Sequence, residues 1–319
     1  MQSFFDTFRT YISPENTLVI AVSGGLDSMT LLELVSSIHE RDKIVVVHFD
    51  HCLRGFESDQ DRELVANLCK NNNITFEVKR MNILEEAKIN KMSVESLARK
   101  ERYIFLESVR KQYNATYILT AHHRDDQIET AIFNLLRGSK LGGIHALTLL
   151  NGNIFRPLIE CSKSDILQYA SEHKIGYRED SSNNDTHYLR NHIRHVLLPQ
   201  CMKINPEYQS SLQDFIKYTK ELKDWIDTDI VAWLNEQNSG DLGESDWSFA
   251  VSEFEKKSPF FQKEILRYLY ENAHNGTVGL SEGLIEEVLR YILTAEGGTE
   301  KGFGVIHIYK QKSRVTFCR

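Results

Sequence analysis

The chain has 319 residues, 41% of them hydrophobic and 26% charged, with 38 Lys+Arg against 45 Asp+Glu; this is the balance of a soluble globular protein with room for a sizeable core and more than one domain. Its five cysteines are scattered, without a C-x-x-C pair, which argues against a disulfide framework or a zinc ribbon and makes a reduced, cytoplasmic setting the default. No apolar run approaches the roughly 20 residues that span a bilayer, and the N-terminal stretch MQSFFDTFRTYISPEN reads as a short amphipathic helix, not a signal peptide, so no membrane partner is expected.

From there strand and helix patterns alternate. TLVIAV (17–22) predicts a first strand, followed after SGGLDS (23–28) by a helix over 28–39. KIVVVHF (43–49), ITFEVKR (74–80) and TYILTAH (116–122) predict three more strands, with helices near 57–71, 94–113 and 125–137. Nearly continuous apolar strands separated by helices imply a parallel sheet covered on both faces, and right-handed crossovers then give a doubly wound α/β fold. After RPLIE (156–160) come a helix (162–174), a polar loop REDSSNND (178–185) and an acid-free basic stretch THYLRNHIRHVLLPQCMKI (186–204). The proline-bearing PQCMKINPEY (199–208) marks the expected boundary, giving a catalytic domain 1–204 and a second, smaller domain 205–319. Amphipathic patterns at 209–236, 258–273 and 281–294 make the second domain mainly helical, and GFGVIHIYKQKSRVTFCR alternates like a terminal hairpin. The acidity is uneven: residues 205–319 hold 13 Lys+Arg against 19 Asp+Glu, and residues 1–204 hold 25 against 26. A local basic patch can still bind phosphate on such a protein.

The turn Ser23-Gly24-Gly25-Leu26-Asp27-Ser28 follows the first strand, and open parallel sheets bind ligands beyond the C-terminal ends of their strands. Glycines let the backbone approach an anion, two hydroxyls flank them, and the next helix points free N–H groups at the same place. This composition suits a phosphate cradle. It matches neither the Walker A pattern nor G-x-G-x-x-G. Taken alone, S-G-G is equally an ordinary turn with a Ser or Asp cap. Asp126 and Glu129, three apart at a helix start, share a face. They read either as magnesium ligands beside a triphosphate or as N-terminal charges favoured by the dipole. A zinc reading of His122 and His123 lacks sulfur ligands and ligand spacing.

The complete SGGLDS turn resembles the pyrophosphate-binding loop of the N-type ATP pyrophosphatases, whose fold is adenine nucleotide alpha hydrolase-like (PP-loop). Four further segments resemble the tRNA(Ile)-lysidine synthetases within that superfamily: HFDHCLRGFESDQD (48–61), ESLARKERYIFL (95–106), TAHHRDDQIETAIFNLLRG (120–138), and RPLI (156–159) followed by EDSSNNDTHYLRNHIRHVLLP (179–199). The five motifs cover about residues 18–200 in the family's order; the C-terminal third matches in length and placement only. The resemblance implies ATP and Mg²⁺ as cofactors, and free L-lysine and an isoleucine tRNA with a CAU anticodon as substrates. It implies nucleotide contacts from Ser23, Gly24, Gly25, Leu26, Asp27, Ser28, His51 and His122, and magnesium ligation by Asp27 and Asp126. Catalytic roles fall to Asp27, Arg102, Asp126, Glu129 and Arg194, and tRNA or substrate contacts to Arg54, Arg99 and Arg190; whether Arg190 or Arg194 acts at the reacting centre stays open. Ser58 is expected in the same region as His51 and Arg54. The 205–319 domain is expected to hold the tRNA body on a local basic strip, around Lys217, Lys220 and Lys223 or around Lys256 and Lys257. The resemblance admits a homodimer. The nearest alternative is a tRNA thiolase of the same superfamily acting on cytidine or uridine, which would need catalytic or cluster-binding cysteines.

Overall fold

A computed structural model describes residues 1–53, 55–144, 147–178, 189–237, 246–274, 280–304 and 306–318. Contacts divide these into two compact units, one formed by Met1–Leu136 and Ala146–Leu212, the other by Arg137–His145 and Gln213–Arg319.

The first unit is the doubly wound sheet. Its strands are β1 (Leu18–Ala21), β2 (Ile44–Asp50), β3 (Thr75–Arg80), β4 (Tyr117–Leu119), β5 (Leu150–Asn151) and β6 (Ile154–Phe155), in the order β3-β2-β1-β4-β6-β5. All neighbours run parallel except β5, which returns antiparallel on β6. Alternation along β1 explains both covered faces. Leu18 and Ile20 enter one core with Ile44, Val46, Leu119 and Phe155; Val19 enters the other with Val45, Val47 and Ile118. The first core is closed by α1 (Gln2–Tyr11), α2 (Leu26–Ser36), α3 (Phe56–Asn71) and α8 (Lys163–Glu172), the second by α5 (Val94–Gln112) through Leu106 and Val109. The short strands β5 and β6, and α4 (Ile83–Asn90), were not anticipated from sequence. Two-residue strands lack a readable period, and α4 follows β3 with only a two-residue connection.

Chain order reverses between β1 and β4, since β2 and β3 lie on one side of β1 and β4 lies on the other. Such a switch point opens a crevice at the C-terminal strand ends. The SGGLDS turn leaves β1 there, and the HHRDD stretch leaves β4 into α6 (Arg124–Leu136). The basic stretch forms α9 (Leu189–His192), a π-helical turn (Ile193–Leu197) and α10 (Leu198–Ile204). Pro199 lacks an N–H and its ring clashes with the carbonyl four residues back in a regular helix; the wider turn just upstream relieves that conflict. Such turns recur at functional sites, and this one carries Arg194.

The second unit contains α7 (Leu141–Ile144), most of α11 (Tyr208–Gln237), α12 (Val251–Glu255), α13 (Pro259–His274) and α14 (Glu282–Thr294). The expected terminal hairpin exists as β9 (Ile306–Gln311) and β10 (Arg314–Cys318), but it belongs to a four-stranded antiparallel sheet completed by β7 (Trp247–Ala250) and β8 (Thr299–Phe303). The region is therefore helical with a small sheet, sharing one core of Ile230, Phe249, Phe254, Ile285, Val288 and Phe303.

Ile20 is fully buried in the central strand, whereas Ile204 is 86% exposed. Ile20→Ala should cost about 2–5 kcal/mol; Ile204→Ala should stay within about 0.5 kcal/mol. Urea unfolding followed by a probe in the first unit measures both.

Candidate active site

The turn after β1 is built to leave a helix end open. Gly24 sits at φ +92°, and a Cβ there would touch the Cβ of Asp61 at 3.4 Å. The Ser28 hydroxyl accepts the Ser23 N–H at 3.1 Å and donates to the Gly25 carbonyl at 3.0 Å, folding the turn over the first residues of α2. Gly25 is the N-cap residue and provides no side-chain cap. The N–H groups of the first turn of α2 therefore have no internal cap, a standing preference for an anion. The Ser or Asp cap of an ordinary turn is not what forms here. Two neighbours brace the loop: the Arg178 N–H donates to the Gly24 carbonyl at 3.0 Å, and the Arg178 guanidinium pairs with buried Asp61 at 2.8 Å.

Carboxylates gather beside this turn. Asp27 lies in the first turn of α2, and Asp125 and Asp126 lie in the first turn of α6. His123, 3% exposed, stands among them: its Nε2 is 3.8 Å from Asp27 and 3.5 Å from Asp126, and its Nδ1 is 3.6 Å from Asp125. Burial alone would lower the basicity of this imidazole, but the three acids outweigh it and raise the pKa. Burial would likewise raise Asp125, yet His123 and the N–H of Lys163 bring it down to about 2. Asp126 moves down as well, burial being overcome by His123 and His122, and it accepts the His123 N–H at 3.0 Å. Asp27 accepts a hydrogen bond from the Lys163 ammonium at 2.5 Å.

Glu129 differs from the other acids. It is 1% exposed and receives both arms of Arg194, at 2.5 and 2.8 Å, with Arg190 Nε at 3.6 Å. A two-bond pair with a guanidinium fixes both partners in one geometry. Its evident effect is to hold Arg194, which also reaches Asp126 at 3.4 Å. Arg190 donates to the Thr130 hydroxyl at 2.9 Å.

Around His122 the neighbouring charges are mostly positive. His122 receives or donates a hydrogen bond with Thr120 at 2.9 Å. Burial drives its pKa to about 3, opposed by Asp126 and reinforced by Arg156, Arg102 and Arg99. Arg99 and Arg102 lie over the Tyr103 ring at 5.1 and 5.6 Å. Arg156, the arginine of RPLI, is 3% exposed and donates to the Thr148 carbonyl at 2.8 Å. His51, at the end of β2, packs on Phe49 with ring centroids 4.7 Å apart, and Ser58 is buried in α3. Arg54 and the segment 179–188 lie outside the described residues.

Sequence reasoning gave no role to His123, Asp125, Lys163 or Arg156. His123 and Asp125 sit inside the quoted HHRDD stretch; Lys163 follows a helix cap whose partner in space is invisible in one dimension. One expectation needs correction: Lys223 is buried and bonded to Asp227 and Glu271, so it cannot contribute to an exposed basic strip.

The donor set suits magnesium. Two hard carboxylates, Asp27 and Asp126, meet one imidazole nitrogen from opposite sides of the switch point, and Mg²⁺ in phosphate sites takes one or two carboxylates, the remaining positions going to water and phosphate oxygens. Among the described residues no three His, Cys, Asp or Glu side chains form a complete protein cage. A cavity of about 260 Å³ lies next to these carboxylates, lined by His123, Asp125, Glu129, Lys163 and Arg194 together with the apolar Leu198 and Met202.

Among the described residues no helix is long and apolar enough to cross a membrane. The chain is 36% identical over 230 residues to a tRNA(Ile)-lysidine synthase of Thermosipho africanus, covering 71% of this chain and 54% of that protein. It is 34% identical over 270 residues to one of Bacillus thuringiensis, covering 82% and 56%. It thus spans about half the length of the curated relatives it matches. A solved U34-tRNA thiolase from Methanococcus maripaludis superposes with a TM-score of 0.56 over 69% of this chain and 77% of that one, at 15% identity, a likeness of fold alone. Residues 1–201 match the PP-loop domain family, and with its uncapped turn at the switch point this chain belongs to that family.

Proposed function

We propose that this protein uses ATP to join free lysine to C2 of the wobble cytidine in an isoleucine tRNA bearing the CAU anticodon, forming lysidine and releasing AMP and pyrophosphate. The observation that carries the reading is the pairing of an uncapped phosphate turn with two carboxylates across the switch point, in a chain whose relatives bear the name tRNA(Ile)-lysidine synthase.

In this reading residues 23–28 and the first turn of α2 hold ATP's β- and γ-phosphates, and His51 and His122 line the nucleotide. Mg²⁺, held by Asp27 and Asp126, would neutralise phosphate charge and make pyrophosphate a better leaving group. The cytidine C2 oxygen attacks the α-phosphorus, the bond to pyrophosphate breaks, and the lysine ε-amine then displaces AMP from C2. Arg102 stabilises charge on the α-phosphate. Arg194, held by Glu129, does the same or steers the base, and Arg99 and Arg190 meet the anticodon backbone. Neutral His122 can donate or accept a hydrogen bond beside those guanidiniums. The cavity next to Asp125 offers apolar side chains for a lysine stem and that carboxylate for its amine. An unstacked anticodon base suits such a pocket. Residues 1–204 are assigned the chemistry and 205–319 the tRNA body, with Lys217, Lys220, Lys256 and Lys257 as the remaining basic positions.

The thiolase alternative would need sulfur ligands. The five cysteines are free, two of them buried, and burial pushes the Cys69 thiol up to about 12, where a thiolate nucleophile is not available at neutral pH.

Incubation with labelled lysine, ATP and bulk bacterial tRNA should place label in RNA; unlabelled RNA with intact ATP binding would end this reading. Asp126→Asn should lower pyrophosphate release by about 10²-fold or more while circular dichroism stays unchanged; wild-type release by the folded variant would remove Asp126 from the mechanism. A lysine amine has a reference pKa of about 10.4 and must lose a proton before attack. With chemistry rate-limiting, single-turnover lysine transfer should therefore rise between about pH 6 and 9; a flat profile would contradict proton removal within the rate-limiting step.

A further inference from the structure

Lys163 bonds Asp27 of the phosphate turn, and several hydrogen bonds fix its position. It is the first residue of α8, whose N-terminus is stitched to that of α6. The Arg124 N–H donates to the Cys161 carbonyl at 3.0 Å, the Arg124 guanidinium donates to the Glu160 carbonyl at 2.5 Å, and the Lys163 N–H donates to Asp125 at 2.9 Å. Ile166 anchors the same helix in the core beside α2. The backbone of Lys163 is thus fixed relative to the acids of α6, while its side chain, 44% exposed, crosses to Asp27 on α2.

A second feature limits what α8 can offer an anion. Its N-terminus is closed by a full capping box: Ser162 accepts the Asp165 N–H, and Asp165 accepts the Ser162 N–H. The end of α2 has no such cap. Two helix ends therefore flank the turn, one with N–H groups available and one contributing only through the Lys163 ammonium. Lys163 holds one oxygen of Asp27, and the other oxygen faces His123; a divalent cation on that second oxygen would stand beside the ammonium, and the like charges would repel, so the two compete at Asp27.

We infer that Lys163 is a phosphate-contacting residue: binding of a divalent cation at Asp27 releases its ammonium, which swings onto an oxygen of the departing pyrophosphate. The swing needs only rotation about a flexible four-carbon stem. The inference rests on the proposed reading in placing ATP's phosphates at residues 23–28 and a divalent cation at Asp27.

The competition gives opposite signs for two ligands. Full-length Lys163→Met should bind Mn²⁺ alone about two- to fivefold more tightly, the scale of releasing a half-exposed ion pair, as measured by electron paramagnetic resonance without nucleotide. The same variant should bind magnesium pyrophosphate about tenfold more weakly or worse, the scale of one charge-assisted hydrogen bond, as measured by calorimetry. Lys163→Arg should retain most of the pyrophosphate affinity and serves as the second variant if Met impairs folding. Equal loss of both affinities, or no change in either, would make Lys163 a structural ion-pair partner and overturn the inference. Neither measurement contains tRNA or lysine, so failure of lysine transfer would sink the proposed reaction and leave this result standing.

Discussion

Like-charge repulsion is the constraint on which the site depends. Asp27, Asp125, Asp126 and Glu129 converge from the starts of two helices, and unpaired carboxylates at such spacing could not all stay ionised. Each acid instead has a nitrogen partner: Lys163 from α8 for Asp27, the His123 imidazole for Asp125 and Asp126, and Arg194 from the π-helical turn for Glu129. Truncating one partner leaves the other charge poorly compensated, which is costly where burial is deep; for Glu129, at 1% exposure, that applies in full. The pairing extends outward, with Asp50 bound to Arg80 and Asp61 to Arg178. The second of these pairs reaches the phosphate turn itself, because Arg178 also donates its N–H to Gly24. Electrostatic compensation and the shape of the turn are therefore one structure.

Much of the fold is legible in one dimension because the strands of the first unit are buried on both faces and their apolar runs are nearly unbroken. Leu18 through Val22 and Ile44 through Val47 need no partner to be recognised. The SGGLDS turn is legible for a related reason: Gly24 is held at positive φ against Asp61, which few residues but glycine tolerate. The paired acids of α6 are legible from their spacing. The cations that match them are not. Lys163 stands 136 positions from Asp27, and no local pattern links them; only the packing of α8 on α2 does. Arg156 follows a two-residue strand with no readable period, so nothing local signals its burial. In the second unit, β7 and β8 escaped notice because TEKGF and WSFA show little alternation, and their burial comes from pairing with the hairpin.

The π-helical turn shows how a backbone irregularity becomes a functional one. A regular helix through residues 189–204 would face Pro199 with a carbonyl in the way of its ring. A π-helical turn, Ile193–Leu197, precedes Pro199 and carries Arg194 but not Arg190. In a regular helix residues four apart lie one above the other. Here Arg194 makes the two-bond contact with Glu129, while Arg190 approaches the same acid only at 3.6 Å and spends its other nitrogen on Thr130. The two arginines are therefore not equivalent, a distinction that their spacing alone could not make.

The distribution of charge around α6 carries the argument to its end. Asp27 and Asp126 suit a divalent cation; Arg99, Arg102 and Arg156 stand around His122, which burial holds neutral at a pKa of about 3. A nucleoside triphosphate has the same polarity of needs. Its β- and γ-phosphates carry enough charge to demand a metal, and its α-phosphate gains charge only as the leaving group departs. Guanidiniums are always protonated and keep their charge when desolvated, so in the proposed reading they would meet the α-phosphate without a metal's help. A protonated His122 among three arginines would add repulsion with no acid of its own to spare, since Asp126 already serves His123 and Arg194. Keeping His122 neutral lets it present a hydrogen-bonding nitrogen where a further positive charge would be opposed.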